Sequence, residues 1–208
     1  MVEEAQSEVY QRLVEVIADN RAIAMVGAGS SVRVGFPDWK DLLKKLSSEA
    51  VQEDPDSKER LDSLAQTKED LTYADAIKEI LGKDRLANYL KTIFGPDKPK
   101  YDKFHERLVQ LPFCHFLTTN YDRILQTAYE CCTNKPYAEL DLDEQRKRNS
   151  FINKLRSEEI EKHFIHVHGS IRRPEHMYWF SVNWTNAFNC LHLFLLDSPL
   201  ANQGFLRH

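Results

Sequence analysis

The 208-residue chain is predicted to be an α/β protein: a Rossmann-like, doubly wound parallel sheet with an inserted helical lobe. Three observations predict it. Short apolar runs at Ala22 to Val26, Phe113 to Thr119 and His163 to His168 have the length and content of buried strands. Helical periodicity separates them, and strand alternating with helix is the pattern of a parallel sheet with crossover connections. Each run also ends in glycine or polar residues, and the carboxyl ends of strands are where open α/β sheets face their ligands.

In chain order, Glu3 to Asn20 carries Val9, Leu13, Val16 and Ile17 at the spacing of an amphipathic helix, which Asp19 and Asn20 end. Strand Ala22 to Val26 breaks into Gly27-Ala28-Gly29-Ser30-Ser31. Pro37 and Asp38 start a helix whose stripe of Trp39, Leu42, Leu43 and Leu46 runs to about Val51 and is expected to pack on the sheet. From about 52 to 100 the charge density rises and leucines mark successive short helices, the expected helical insertion, with Gly95, Pro96 and Pro99 punctuating its exit. Tyr101 to Leu111 is a helix expected to turn Phe104, Leu108 and Leu111 inward, stopped by Pro112. A second strand, Phe113 to Thr119, hands over at Asn120, Tyr121 and Asp122 to a helix from Arg123 to Cys131. Asp141 to Lys162 is charged, helical in composition or partly a loop. His163 to His168 is the third strand, ending at Gly169 and Ser170. One domain over residues 1–208 is expected, with 178–208 atypical or truncated.

Composition bounds the function. With 28 basic and 32 acidic residues mixed along the chain and a net charge of −4, no basic footprint points to direct binding of nucleic acid. No apolar run approaches the roughly twenty residues of a membrane span, so a cytoplasmic protein without a membrane partner is expected. The four cysteines, Cys114, Cys131, Cys132 and Cys190, form no pair of zinc knuckles. His166 and His168 fall on one side of a strand, but no third ligand lies at a recognisable spacing, so no metal is expected.

Three strand ends thus carry distinct chemistry. The turn at Gly27 to Ser31 lets backbone N–H groups approach a pyrophosphate without an intervening Cβ, although tight strand-to-helix turns also use glycine with no ligand. Asn120 and Asp122 close the second strand, and either can simply serve the following helix as cap or dipole partner. His168 precedes a glycine at the third, where a hydrogen-bonded core imidazole is the plain alternative. On a parallel sheet all three converge on one edge.

The residues at these ends resemble the sirtuin family. Gly27-Ala28-Gly29-Ser30-Ser31 followed by Gly35-Phe36-Pro37-Asp38-Trp39-Lys40 is similar to the sirtuin pattern G-A-G-x-S-x-x-x-G-I-P-D-F-R. Thr118-Thr119-Asn120-Tyr121-Asp122 resembles T-Q-N-I-D, and His166-Val167-His168-Gly169-Ser170 resembles E-x-H-G. Trp39-Lys40 in place of Phe-Arg, the leading helix and the tyrosine after Asn120 bring the chain nearer the sirtuin-like NAD hydrolases of bacterial antiphage defence than the protein deacylases. The missing four-cysteine zinc ribbon points the same way, since it supports the acyl-peptide groove of deacylases.

The resemblance implies an NAD glycohydrolase that releases nicotinamide and ADP-ribose, with NAD as substrate and no metal. Asn120 and His168 are then the catalytic residues: Asn120 orients ribose hydroxyls or water, and His168 acts as general base. Gly27, Ala28, Gly29, Ser30 and Ser31 hold the pyrophosphate. Phe36, Pro37, Asp38 and Trp39 line the site, Trp39 covering the sugar, and Asp122 holds the nicotinamide amide or shapes its pocket. Lys40 either pairs with phosphate or is solvated. The family also implies a homo-oligomer and a companion defence protein, an ATPase, an Argonaute-like or a phage-sensing protein. The alternatives are a non-catalytic module that senses NAD or ADP-ribose, a scaffold, and protein deacylation.

Overall fold

The computed structural model describes residues 2–20, 22–67, 69–95, 99–141 and 162–173. Among the described residues four strands form one parallel sheet: β1 (Ile23–Val26), β2 (His115–Thr118), β3 (Ala138–Asp141) and β4 (His163–His166), in the order β1-β2-β4-β3. β2 and β4 lie in the middle and are buried at every position, as strands covered on both sides must be. β1 is an edge strand, and its Met25 stays exposed. The register aligns Val26 with Thr118 and Thr118 with His166, so the carboxyl ends of these strands finish level. The main chain carries the alignment one step further, with Thr119 N donating to Val26 O and Val167 N to Thr118 O.

α1 (Val2–Ala18) forms where its periodicity predicts, and Asn20 ends it in the left-handed region at φ 55° that Asn tolerates. Along its apolar stripe Val16 and Ile17 are half-buried, while Val9 and Leu13 remain exposed among the described residues. After β1 comes a four-residue helix, α2 (Gly29–Val32), and then α3 (Trp39–Glu53), started by Asp38, whose carboxylate accepts from Asp41 N at 2.8 Å. A 3-10 turn at Pro55–Ser57 leads to α4 (Lys58–Ala65) and α5 (Asp70–Phe94), which kinks at Gly82, where φ is 67°. At Gly82 the backbone leaves the helical region, so this stretch is two helical segments meeting at a glycine, in keeping with the successive short helices expected.

Two cores result. Phe116 and Phe164 stack at 5.1 Å beneath the sheet and join Ala24, Val26, Val109 of α6 (Lys103–Gln110) and Leu125, Ala128 and Tyr129 of α7 (Ile124–Thr133). Burying each such ring contributes about 1.5–3 kcal/mol. The other core is helical: Leu42, Leu43 and Leu46 of α3 meet Ile77, Leu81, Leu90 and Phe94 of α5. Here α3 departs from expectation, since its buried stripe packs on α5 rather than on the sheet. Tyr121 and Ile171, from the segments that follow β2 and β4, reach into this helical core, tied by Ile171 N donating to Tyr121 O at 2.9 Å. The helical layer is thereby held over the carboxyl ends of the strands.

α6 also differs from its sequence reading. Phe104 and Leu111 are exposed, and the side chains it buries are His105 and Val109. The reason is polar, because His105 Nε2 reaches Ser30 O at 3.0 Å and its ring closes a capping box with Asp102. β3 had no clear apolar signal in Ala138-Glu139-Leu140-Asp141. Among the described residues it is an edge strand, with Leu140 buried and Ala138 and Glu139 half-buried. The expected tail at 178–208 lies outside the described residues.

Candidate functional site

A cavity of about 370 Å³ opens where the strand ends meet the helical layer, within the ~300–1,000 Å³ range of small-molecule sites. Ala28, Ser31, Asn120, Asp122 and His168 line it from the sheet side; Pro37, Asp38, Trp39, Leu42 and Phe94 line it from the helical side. Of the residues singled out from sequence, Ala28, Ser31, Pro37, Asp38, Trp39, Asn120, Asp122 and His168 thus share one space. Gly27, Gly29, Ser30 and Phe36 are not in its wall. Phe36 stacks on Phe94 at 5.7 Å instead, behind the lining.

The glycine turn folds on itself before any ligand is considered. Ser30 N donates to Gly27 O and Ser31 N to Ala28 O, so two of the turn's N–H groups are consumed internally. Neither Gly27 nor Gly29 has a positive φ. Among the described residues, a Cβ on Gly29 would meet nothing within 4 Å, and one on Gly27 only Thr119 Oγ1 at 3.9 Å. Backbone strain and packing therefore do not demand these glycines, and the open space beside Gly29 is where a ligand can approach the main chain.

Asn120 ties the second strand end to this turn. Its Nδ2 donates to Gly27 O at 3.1 Å, Ser30 Oγ at 3.2 Å and Ser31 Oγ at 2.8 Å, while its own N–H donates to Thr118 Oγ1. An amide nitrogen has only two protons, so these three contacts share them, and the side-chain carbonyl Oδ1 is the group left for other partners. Asp122 is equally engaged: Oδ2 accepts from Ser31 Oγ at 2.6 Å and Oδ1 from Ile124 N at 3.0 Å. Of the two roles expected for Asp122, shaping the pocket is the one this geometry favours.

His168 is 3% exposed on the cavity wall, and burial lowers its pKa below the usual imidazole value, since a buried cation loses its hydration. The ring is thus neutral at pH 7 and able to accept a proton. Gly169, at φ 81°, turns the chain immediately after it. Tyr121, between Asn120 and Asp122, was not foreseen as a site residue. Its ring packs against Phe94, and its hydroxyl is buried with no hydrogen-bond partner among the described residues, so burial pushes the phenol pKa up. Lys40 is exposed and does not line the cavity.

His166 was the other half of the considered metal pair, and both of its ring nitrogens are already engaged within the protein. Nδ1 lies 2.9 Å from Asn120 O and Nε2 2.6 Å from Gln126 Nε2. Among the described residues no group of three or more His, Cys, Asp or Glu side chains is arranged to hold a metal.

Comparison with known proteins agrees with this arrangement. Residues 114–186 match the family model described as "SIR2-like domain". The chain is 29% identical over 155 residues to the NAD(+) hydrolase ThsA of Acinetobacter baumannii (strain 532279), covering 73% of the chain and 30% of that protein. It is 29% identical over 118 residues to the NAD(+) hydrolase ThsA of Cytobacillus dafuensis, covering 57% and 22%. It is also 24% identical over 166 residues to defense-associated sirtuin 2 of Bacillus subtilis, covering 80% and 15%. The chain spans less than a third of the length of each of these relatives. The parallel sheet is consistent with this likeness, since β2, β3 and β4 all fall within the residues that match the SIR2-like model.

Proposed function

We propose that this protein hydrolyses NAD to nicotinamide and ADP-ribose, as a defence effector that depletes NAD. The observation that carries the reading is the shared cavity, on which the glycine turn, Asn120 and His168 converge from three strand ends. The names of its relatives, NAD(+) hydrolase and defense-associated sirtuin, support the substrate and the setting.

Breaking the bond between ribose C1′ and the nicotinamide nitrogen leaves an oxocarbenium-like sugar, and catalysis consists in stabilising that species and delivering water to it. Nicotinamide leaves with the bonding electron pair. Water then adds its oxygen to C1′, and neutral His168 takes the proton that water releases. Asn120, whose Nδ2 is bound to the turn, presents Oδ1 to the attacking water or a ribose hydroxyl. Trp39 and Phe94 supply an apolar cover that keeps bulk water from the cation. The pyrophosphate lies along the open side of Gly29. The domain is read as a single unit with a helical insertion at about 52–100, and it works as a homo-oligomer beside a companion defence protein.

Purified protein incubated with NAD is expected to release nicotinamide, and Asn120→Ala and His168→Ala to lose about 100-fold or more of that rate, the scale of a lost general base or orienting group. Turnover unchanged in both variants would reject the assignment. A second reading, a module that binds NAD without cleaving it, draws on the internal engagement of Asn120 and Asp122. Calorimetry separates the two, because binding without consumption of NAD is the signature of a sensor.

A further inference from the structure

His166 is completely buried at the last position of β4, and the mechanism above makes no use of it. Its surroundings nevertheless determine its protonation. Asn120 O, 2.9 Å from Nδ1, is a main-chain carbonyl and can only accept, so Nδ1 must carry a proton. On the other side Gln126, 1% exposed on α7, brings its amide nitrogen to 2.6 Å from Nε2. An amide N–H donating there requires Nε2 to be bare. The two contacts together select the neutral tautomer with its proton on Nδ1, in the way that the hydrogen bond of one ring nitrogen sets the state of the other. Turning the amide over, so that its oxygen faced Nε2, would still leave the Nδ1 proton in place.

The consequence falls on Asn120. Its N–H is fixed by Thr118 Oγ1, its carbonyl by His166, and its Nδ2 by the glycine turn. The His166 contact is the one that comes from β4, the strand that also delivers His168. We propose that Gln126 and His166 form a positioning pair: Gln126 holds the His166 ring in place through Nε2, and the Nδ1 proton holds the Asn120 carbonyl so that Oδ1 faces the cavity. The pair touches no substrate and acts through Asn120, so it governs the rate of bond cleavage rather than the affinity for NAD. The inference rests on the hydrolase reading but has a part that can be measured without substrate.

The experiment compares wild type, Gln126→Leu and Gln126→Glu. Leucine keeps the buried volume and removes the donor. Glutamate restores a partner for Nε2, now as an acceptor from a doubly protonated ring, and so keeps the Nδ1 proton. Nitrogen-15 shifts of His166 report the tautomer, the side-chain amide resonances of Asn120 report its orientation, and steady-state nicotinamide release gives kcat and KM. Wild type is expected to show Nδ1 protonated. Gln126→Leu is expected to leave Nδ1 protonated, because the Asn120 carbonyl still requires it, but to free the ring, to shift the Asn120 amide signals, and to lower kcat about 10- to 100-fold with KM within about twofold, the cost of a small misplacement of a catalytic group. Gln126→Glu is expected to return the amide signals and most of kcat. The proposal is overturned by an Nε2-protonated wild type, by equal losses in both variants, or by a change confined to KM. Should wild type release no nicotinamide, the hydrolase reading fails by itself and the resonances decide the pair: Asn120 signals that stay put in Gln126→Leu overturn it, and signals that move there and return in Gln126→Glu support it.

Discussion

The glycines of this chain are not equivalent, and the difference separates ligand from fold. Gly35 sits at φ 98°, where any Cβ strains the backbone. Gly29 has neither a positive φ nor, among the described residues, a neighbour within 4 Å of an added Cβ, so alanine there fits the folded protein. Gly29→Ala is expected to leave the melting temperature unchanged or slightly raised, because alanine favours a helix start by up to about 1 kcal/mol, while lowering NAD turnover by about tenfold or more as the methyl group meets the pyrophosphate. Differential scanning calorimetry beside a nicotinamide-release assay tests both halves, and a variant with wild-type turnover would remove the ligand from this turn. The same contrast runs through the polar residues. Asn120 was readable as a site residue from its place after β2, but its three contacts to the turn come from residues about ninety positions earlier. Gln126 gave no signal, since a lone glutamine in a helix reads as ordinary packing, and Tyr121 was legible only as part of the motif Thr118 to Asp122, not as a residue of the site.

Among the elements, α5 sets the roof of the cavity through Phe94. Its kink at Gly82 lets both halves keep an apolar face toward α3, burying Ile77 and Leu81 before the bend and Leu86 and Leu90 after it. Gly82→Ala is expected to cost about 1–3 kcal/mol, because positive φ with ψ at 168° is a backbone region essentially confined to glycine, with no clash added, since nothing among the described residues lies within 4 Å of the new Cβ. Urea denaturation measures it; an unchanged midpoint would mean that α5 straightens freely and that the bend is not needed to seat Phe94. α6 shows how a helix can be placed correctly and faced wrongly. Its bounds follow from Asp102 and Pro112, but the buried His105 takes the face that periodicity assigns to Phe104, because a hydrogen bond to Ser30 O outweighs the burial of one more ring.

At the scale of the molecule, acid works against the sheet. His115, at the start of β2 and beside His163, is pushed down to about 3 by burial first and then by His163 and Lys162. A histidine whose folded pKa lies below its unfolded value of about 6.5 contributes full stability above that pH and loses it progressively as pH falls toward the folded pKa. Stability is therefore expected to decline from about pH 6.5 downward, with at most about 1.4 kcal/mol per pH unit from this one group. Urea midpoints of wild type and His115→Phe across pH 7.5 to 5 test it, the variant giving the flatter curve. Parallel curves would place the acid sensitivity elsewhere. The opposite, carboxyl end of the sheet holds the cavity, so this titration is expected to move stability without moving the site.

The sequence by itself determined the parallel α/β plan, the positions of β1, β2 and β4, and the motif residues at their ends, because strand length, helical period and turn chemistry are local properties written in a few neighbouring residues. The tertiary structure alone decided which faces are buried, that α3 packs on α5, that Ala138–Asp141 joins as an edge strand, and that Gln126, His166 and Asn120 form one chain of hydrogen bonds. Those outcomes depend on contacts between residues far apart in the chain, where the energy of satisfying a buried polar group or filling a core is settled only once the elements meet.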